Sequence, residues 1–426
     1  MATATNSTAL RNVVVVGGSY VGQMAGKELL ATLNPETHRL VIVDRNSHFG
    51  HLFAYPRFAI APAYEHKAFI PFHPMLPAPH AIVQASALSL VPPSSSTGGG
   101  KVVLDRAVQL PGQDTPAAEI EYDALVLATG TKLSKPGTLE TEKKDSVMYL
   151  QGVQQKLKAA KDIVIIGGGA VGVQMATDLA ILYPGAKSIT VVQSRRLMPR
   201  FHPKLHEIVQ KRFDELGVKT VLNVRADIPE GGYEALNESG EGGEVVLKDG
   251  RRIKADYVIH ALGQTPSSDI LSSAASSAIL PNRFVRVAPS LLVDPIEDGE
   301  TKALDERVFA VGDIADSGAP KAARPAMQQA VIVAKNIASR LTGASSSSFE
   351  TYTPGPGAIH LTLGIVESII FRNPTSHPDP QTGEAVWEAE PEFFWKDDGV
   401  EDMNINSVWE RRVPGFVNGD EQRYHL

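Results

Sequence analysis

Two runs of β-branched residues, Val13–Val16 and Ile163–Ile166, each lead directly into a cluster of glycines, and the apolar and polar positions around them follow the same order. A continuous apolar run of this length, bounded by turn residues, reads as a strand buried on both faces of a parallel sheet. In the first copy, residues 11–16 form the strand and Gly17-Gly18-Ser19-Tyr20-Val21-Gly22 the turn. A helix-forming stretch Tyr20–Leu33 and a second strand Arg39–Asp44 follow. In the second copy the turn is Gly167-Gly168-Gly169-Ala170-Val171-Gly172, the helix Val171–Tyr183 and the second strand Ser188–Gln193. Each copy therefore completes a βαβ unit. The repeat extends further, because Asp123–Gly130 and Asp256–Gly263 are both apolar strands that end in glycine after a meander. Within the second meander, Lys248-Asp249-Gly250-Arg251 marks a tight hairpin between Glu244–Leu247 and Arg252–Ala255.

Outside the repeat the pattern is weaker. His48–His80 is rich in proline and histidine without periodicity, and predicts loops and short helices lying over a site. Ser94–Gly100 and Glu230–Gly243 read as polar, glycine-rich loops, and the segment up to Lys161 as a connector and helix. Arg307–Asp313 is an apolar strand ending in an acid, and Pro325 suits the first turn of the helix that follows. Gly343–Ser348 is a linker before a region rich in proline and aromatics, in which Trp387, Trp395 and Trp409 are expected to pack. The fold class predicted is α/β, with two Rossmann-like dinucleotide-binding domains and a small C-terminal region. One domain comprises residues 1–155 and 256–345, the second is inserted as 156–255, and the C-terminal region is 346–426.

Composition narrows the function. The 426 residues carry a net charge of −7 and no basic stripe, which excludes nucleic acid as a partner. Ile359–Ile370, the longest apolar stretch, contains His360, Thr362 and Glu367 and is too short to span a bilayer. Residues 1–8 lack a charged segment followed by an apolar core, and position 2 is Ala2, so neither a secretory signal nor myristoylation is expected. A cytoplasmic protein is the expectation, with peripheral contact to a lipid or mitochondrial membrane left open. The absence of cysteine removes redox disulfides, thiolate charge-transfer partners, iron–sulfur ligation and thiol lipidation. No metal site is expected either: Pro203 interrupts His202 and His206, and neither a following Glu nor a third ligand is present.

In a dinucleotide fold the first glycine permits the turn, the second admits the pyrophosphate and the third lets the helix pack closely. Gly167, Gly169 and Gly172 fill these places in the second copy; Gly17, Ser19 and Gly22 do so in the first, with Gly18, Tyr20, Val21, Ala170 and Val171 between them. Ser19 is small and its hydroxyl can donate to a phosphate oxygen. Asp44, followed by Arg45, ends the second strand of the first copy, where a carboxylate accepts from ribose hydroxyls. Its counterpart is Gln193, followed by Ser194, Arg195 and Arg196, a neutral and then cationic series suited to a 2′-phosphate. NADPH, or no strong preference, is thus expected over strict NADH. Gly312 and Asp313 would meet a ribityl chain, and a helix beginning near Pro325 and Ala326 would face the flavin ring with its positive end.

Taken in order, Gly17–Gly22, Asp44, Ala128-Thr129-Gly130, Gly167–Gly172, Ala261-Leu262-Gly263 and Val311-Gly312-Asp313 resemble the two-dinucleotide-binding flavoproteins of the pyridine nucleotide–disulfide reductase type. Val16–Gly22, His66–Pro71 and Gly357–Gly364 are most similar to the apoptosis-inducing-factor-like and ferroptosis-suppressor branch, especially its fungal members. Without cysteine, the disulfide-reductase, thiol-peroxidase and sulfide:quinone branches are excluded. The resemblance implies FAD in the first domain and NAD(P)H in the second. A hydride would pass from the nicotinamide to the flavin, and electrons then to a quinone-type or other small acceptor. With no thiol available, the ammonium of Lys67 is expected to stabilise the reduced flavin as the catalytic cation, and Arg57 is a second candidate; the alternative is that both cations snorkel over a loop surface. Two other roles fit the same residues: a tailoring oxidoreductase of a natural-product pathway, and an NAD(P)H-sensing flavoprotein. A homodimer is left open.

Overall fold

The computed structural model describes residues 10–72, 75–94, 98–383 and 385–425. The segment read for signals at the N-terminus, and part of the 94–100 loop, lie outside the described residues. The chain divides into two compact units. One comprises Met1–Phe49, Pro71–Lys132 and Thr265–Gly355, the other Gly50–Ile70, Leu133–Gln264 and Pro356–Leu426.

The first unit is built on five parallel strands in the order Val308–Ala310, Ala124–Leu127, Arg11–Val16, His38–Asp44, Ala81–Gln84. Alternate residues of these strands enter two different cores. Val13, Val15, Leu40, Ile42, Val126 and Phe309 face Leu29 of the helix Tyr20–Thr32 and Ala330 and Val333 of the helix Ala323–Leu341. Val14, Val16, Val41, Val43, Leu125 and Leu127 face Leu90, Val102 and Ile120 of an antiparallel meander. Burial on both faces explains why the strands read as unbroken apolar runs instead of alternating ones. Gly26 lets the first helix sit close to the sheet, since a Cβ there would stand 2.9 Å from Ile42 Cδ1.

The second unit repeats the plan with four parallel strands, ordered Lys219–Leu222, Ser188–Gln193, Asp162–Ile166, Tyr257–His260. To it belong the helices Lys143–Ala159, Ala170–Leu182 and Pro203–Leu216 and a three-stranded antiparallel sheet, Ala358–Thr362, Ser368–Arg372 and Glu392–Lys396. The expected boundaries need revision here. Tyr257–His260 pairs with Ile163–Ile166, so the second unit runs past residue 255 to Gln264. Residues 356–426 form no third domain but cluster with this unit, as do 50–70 and the helix Lys143–Ala159. The stretch 230–243, expected as loop, contains the short helix Glu234–Ser239. Among the described residues no helix is long and apolar enough to cross a membrane.

A buried ion pair ties these pieces of the second unit together. Arg57, in the short helix Tyr55–Phe58, is fully buried and donates from Nε to Asp178 Oδ2 at 2.5 Å. Its Nη2 donates to the Gly364 carbonyl at 3.0 Å and Nη1 to that of Val400 at 3.4 Å. Three segments distant in sequence are therefore joined by one guanidinium. Burial pushes the Asp178 carboxyl up to about 6, with the Arg57 charge pulling it the other way. Replacing Arg57 by Leu would leave a buried carboxylate without its counter-charge, and should cost about 3–5 kcal/mol in urea unfolding at neutral pH. The loss should shrink on acidification. Without Arg57 the folded-state value rises further above the unfolded one, so protonation on going from pH ~8 to ~5 relieves the variant more than the parent. A loss independent of pH would contradict this account.

Candidate functional site

The two glycine turns are built alike, atom for atom. Gly17 N donates to the Val43 carbonyl and Gly167 N to that of Val192, both at 2.8 Å. Ala128 N bonds to Val16 O and Ala261 N to Ile166 O, again both at 2.8 Å, docking each closing strand beside its turn. Gly17 (φ +106°) and Gly167 (φ +120°) adopt a conformation that other residues rarely reach, and a Cβ on either would lie 2.3 Å from the carbonyl oxygen of Ala128 or Ala261. Gly22 and Gly172 back onto the same turns, where a Cβ would stand 1.7 and 1.9 Å from the oxygens of Gly17 and Gly167. The first and third glycines are thus steric requirements.

The middle position obeys a different rule. Ser19 (φ −77°) and Gly169 (φ −86°) are both extended residues that cap the helices Tyr20–Thr32 and Ala170–Leu182. Neither provides a side-chain cap, so the helix N-termini are left to a ligand that accepts hydrogen bonds. A Cβ on Gly169 would meet nothing within 4 Å. Serine at this place is consequently unstrained, which removes the irregularity that Ser19 introduces into the motif. Around the first turn, Tyr20 meets Phe49 edge-on at 5.0 Å, and Val21 lies under Gly312.

What differs between the copies is the group at the end of the second strand. Gly18 N donates to Asp44 Oδ2 at 2.5 Å, whereas Gly168 N donates to Gln193 Oε1 at 2.8 Å. The other oxygen of Asp44 accepts from Asn46 N at 2.7 Å. Burial raises the Asp44 carboxyl above the usual range, opposed by these backbone N–H groups and by Arg45. Beyond Gln193, Ser194 and Arg195 are exposed, and Arg195 has no ion-pair partner among the described residues. Arg196 instead turns back onto the Phe201 carbonyl at 3.1 Å. A carboxylate at the end of one strand and an amide at the end of the other differ by one full charge at the same position of the two turns.

The remaining expected residues separate by unit. Ala128, Thr129 and Gly130, together with Gly312, Asp313, Pro325 and Ala326, belong to the first unit. There Thr129 Oγ1 donates to the Ser267 carbonyl at 2.8 Å, and Gly312 (φ +80°) donates to Gln329 Oε1 at 2.8 Å. Asp313 is half-buried, Pro325 lies in the first turn of the helix Ala323–Leu341, and Ala326 is buried. Gly263 (φ +65°) falls in the second unit, with the closing strand that carries it. Arg57 neither snorkels over a loop nor offers a surface to a ligand; its donors are spent inside the second unit. Lys67 is also held there. Its ammonium lies 3.1 Å from Glu421 Oε1 and 4.3 Å from the centre of the Tyr424 ring, and Trp409 Nε1 donates to its carbonyl. Gln329, Asp178, Glu421 and Tyr424 carry no sequence signal that could have marked them, because each acts on a residue distant in the chain or lies within a helix. No group of His, Asp or Glu able to hold a metal occurs among the described residues.

Comparison with known proteins agrees with this geometry. The family model described as pyridine nucleotide-disulphide oxidoreductase matches residues 11–330. The Fe-regulated protein 8 of Mycosarcoma maydis is 32% identical, over 94% of this chain and 95% of its own length. The FAD-dependent oxidoreductase FVFD30 of Flammulina velutipes is 30% identical over 62% and 72%. Ferroptosis suppressor protein 1 of Taeniopygia guttata is 25% identical over 83% and 86%.

The turns should separate in mutagenesis. Gly17→Ala and Gly167→Ala each force a poor φ and a clash, costing at least ~1–3 kcal/mol from the backbone alone, visible as a lowered thermal midpoint. Gly169→Ser and Ser19→Gly should leave stability within about 0.5–1 kcal/mol. Equal losses at all four positions would contradict the assignment of two rules to one motif.

Proposed function

The chain belongs to the pyridine nucleotide-disulphide oxidoreductase family, and we propose that it oxidises NADPH and hands the electrons to a quinone-type small molecule. It is an FAD-dependent oxidoreductase whose cofactors are FAD and NAD(P)H. With no cysteine in the chain, the disulphide half of the family's description has no counterpart here. The bound flavin supplies the exchange between a two-electron donor and the acceptor; the protein supplies position and charge.

One observation carries the assignment of the sites: the same amide of the same turn is bound by Asp44 in one unit and by Gln193 in the other. In this reading Asp44, fixed by Gly18 and Asn46, accepts from ribose hydroxyls of FAD, and the uncapped helix behind Ser19 faces the pyrophosphate. Gly312, held by Gln329, and Asp313 line the ribityl side, and the helix of Pro325 and Ala326 directs its positive end at the ring. In the second unit, Gly167, Gly169 and Gly172 admit the NADPH pyrophosphate at the helix of Ala170 and Val171. Gln193 places no negative charge by the adenosine ribose, and Ser194 and Arg195 receive the 2′-phosphate. Lys67 is the cation proposed to favour the reduced flavin, with Glu421 as its counter-ion; Arg57 drops out of the contact set. The quinone acceptor rests on the resemblance of residues 16–22, 66–71 and 357–364 to the ferroptosis-suppressor branch and on the match to a ferroptosis suppressor protein.

Rapid mixing tests this directly. The flavin band near ~450 nm should bleach with NADPH and recover on adding a ubiquinone analogue. A colourless protein would refute the flavin, and recovery no faster with any quinone than with air would refute the acceptor. Arg195→Glu should raise the KM for NADPH by roughly 10–100-fold, the loss of one charge-assisted contact, with little change for NADH. An equal effect on both nucleotides would remove Arg195 from the phosphate site.

A further inference from the structure

The loop that follows Gln193 is held differently from its counterpart in the first unit. Asp44 has two carboxylate oxygens and uses one on Gly18 N and the other on Asn46 N, so a single side chain fixes both the turn and the loop beyond the strand. Gln193 has one amide oxygen, and Gly168 N takes it. The loop 194–202 is therefore fixed by other groups. Its own backbone supplies the near end, where Met198 N donates to the Gly168 carbonyl at 2.8 Å and both Leu197 and Met198 are buried. Arg196 Nη2 donates to the Phe201 carbonyl at 3.1 Å and closes the middle.

The far end is fixed by the C-terminal segment of the same unit. Asn373 directly follows the strand Ser368–Arg372, and its own N–H donates to the Gly357 carbonyl at 2.7 Å. Its side chain bridges two residues of the loop: Oδ1 accepts from His202 N at 2.9 Å, and Nδ2 donates to the Arg200 carbonyl at 3.3 Å. One carboxamide thus satisfies a backbone donor and a backbone acceptor two residues apart. Phe371 meets the ring of Phe201 edge-on at 6.2 Å, and Trp387 meets that of His202 at 5.4 Å. Three side chains from residues 371–387 therefore grip residues 200–202, immediately before the helix Pro203–Leu216, whose N-cap is His202.

Anchors at residue 198 and at 200–202 leave Ser194 and Arg195 as the exposed part of the loop. An exposed guanidinium loses conformational freedom when it binds an anion, and the cost falls if the backbone beneath it is already fixed. We propose that Asn373 is a positioning residue for nucleotide selection: it sets the loop that presents Arg195 to the 2′-phosphate of NADPH, and acts through that loop alone. The inference rests on the assignment of Ser194 and Arg195 to the phosphate. Discrimination between the two nicotinamide nucleotides then depends on a side chain 171 residues from the amide it holds. Residues 356–426 acquire a role in the nucleotide site that their irregular pattern does not announce.

Titration calorimetry on the full-length, flavin-loaded protein tests this with 2′,5′-ADP and 5′-AMP, two ligands that differ only in the 2′-phosphate. Asn373→Leu, similar in size but unable to bond, should weaken 2′,5′-ADP by roughly fivefold and 5′-AMP by less than about twofold, the effect of hydrogen bonds lost from one part of the site. Trp387→Ala removes the ring against His202 while leaving the hydrogen bonds of the loop in place. It should act in the same direction, and it serves if Asn373→Leu does not fold. In a cycle with Arg195→Ala, the double variant should bind 2′,5′-ADP no more weakly than Arg195→Ala alone, because Asn373 works through Arg195. With Arg195→Ala itself weakened for 2′,5′-ADP, three results would overturn the proposal: both loop variants equal to the parent, equal weakening of the two ligands, or additive losses in the cycle. An Arg195→Ala protein that binds 2′,5′-ADP as tightly as the parent would instead overturn the phosphate assignment beneath it.

Discussion

One hydrogen bond organises each half of this protein: the amide of the second turn glycine, Gly18 or Gly168, held by the side chain that ends the neighbouring strand. The bond requires the strands to lie parallel and in register, with Val16 beside Val43 and Ile166 beside Val192. It also requires a turn tight enough that the first and third glycines tolerate no Cβ. The rest follows from keeping that corner rigid. Helices cover one face of the first unit's sheet and a meander the other, and the helix N-termini are left uncapped where the corner opens.

From the same bond comes the distinction between the sites. A carboxylate and an amide satisfy the glycine N–H almost equally in geometry, so the fold accepts either. They differ in what else they attract. Asp44 is a buried carboxylate, whereas Gln193 places an uncharged amide at the same position, two residues before the exposed Arg195. A duplicated corner thereby carries a different side chain in each unit on the same backbone hydrogen-bond pattern.

Much of this was legible in the chain, for physical reasons. Strands buried on both faces betray themselves as apolar runs, and Ser188–Gln193 and Arg11–Val16 fall where the pattern predicts them. Glycine turns are equally visible because only glycine survives at their first and third positions. Contacts between distant segments were not legible. Arg57 looked like a loop cation because nothing nearby signals Asp178, 121 residues away, and Lys67 gave no hint of Glu421, 354 residues away. For the same reason the pattern sets residues 346–426 apart, although 356–426 cluster with the second unit. Their irregular, proline-rich pattern carries no trace of the guanidinium that binds Gly364 and Val400 to the second unit.

The central claim is that each turn selects its own dinucleotide through the group bonded to the second glycine. Diffraction from crystals grown with FAD and soaked in NADP⁺ tests it most directly. The account predicts FAD density at the first turn, with ribose hydroxyls on Asp44, and NADP⁺ density at the second, with its 2′-phosphate beside Ser194 and Arg195. FAD at the Gln193 turn, or a 2′-phosphate remote from Arg195, would contradict it.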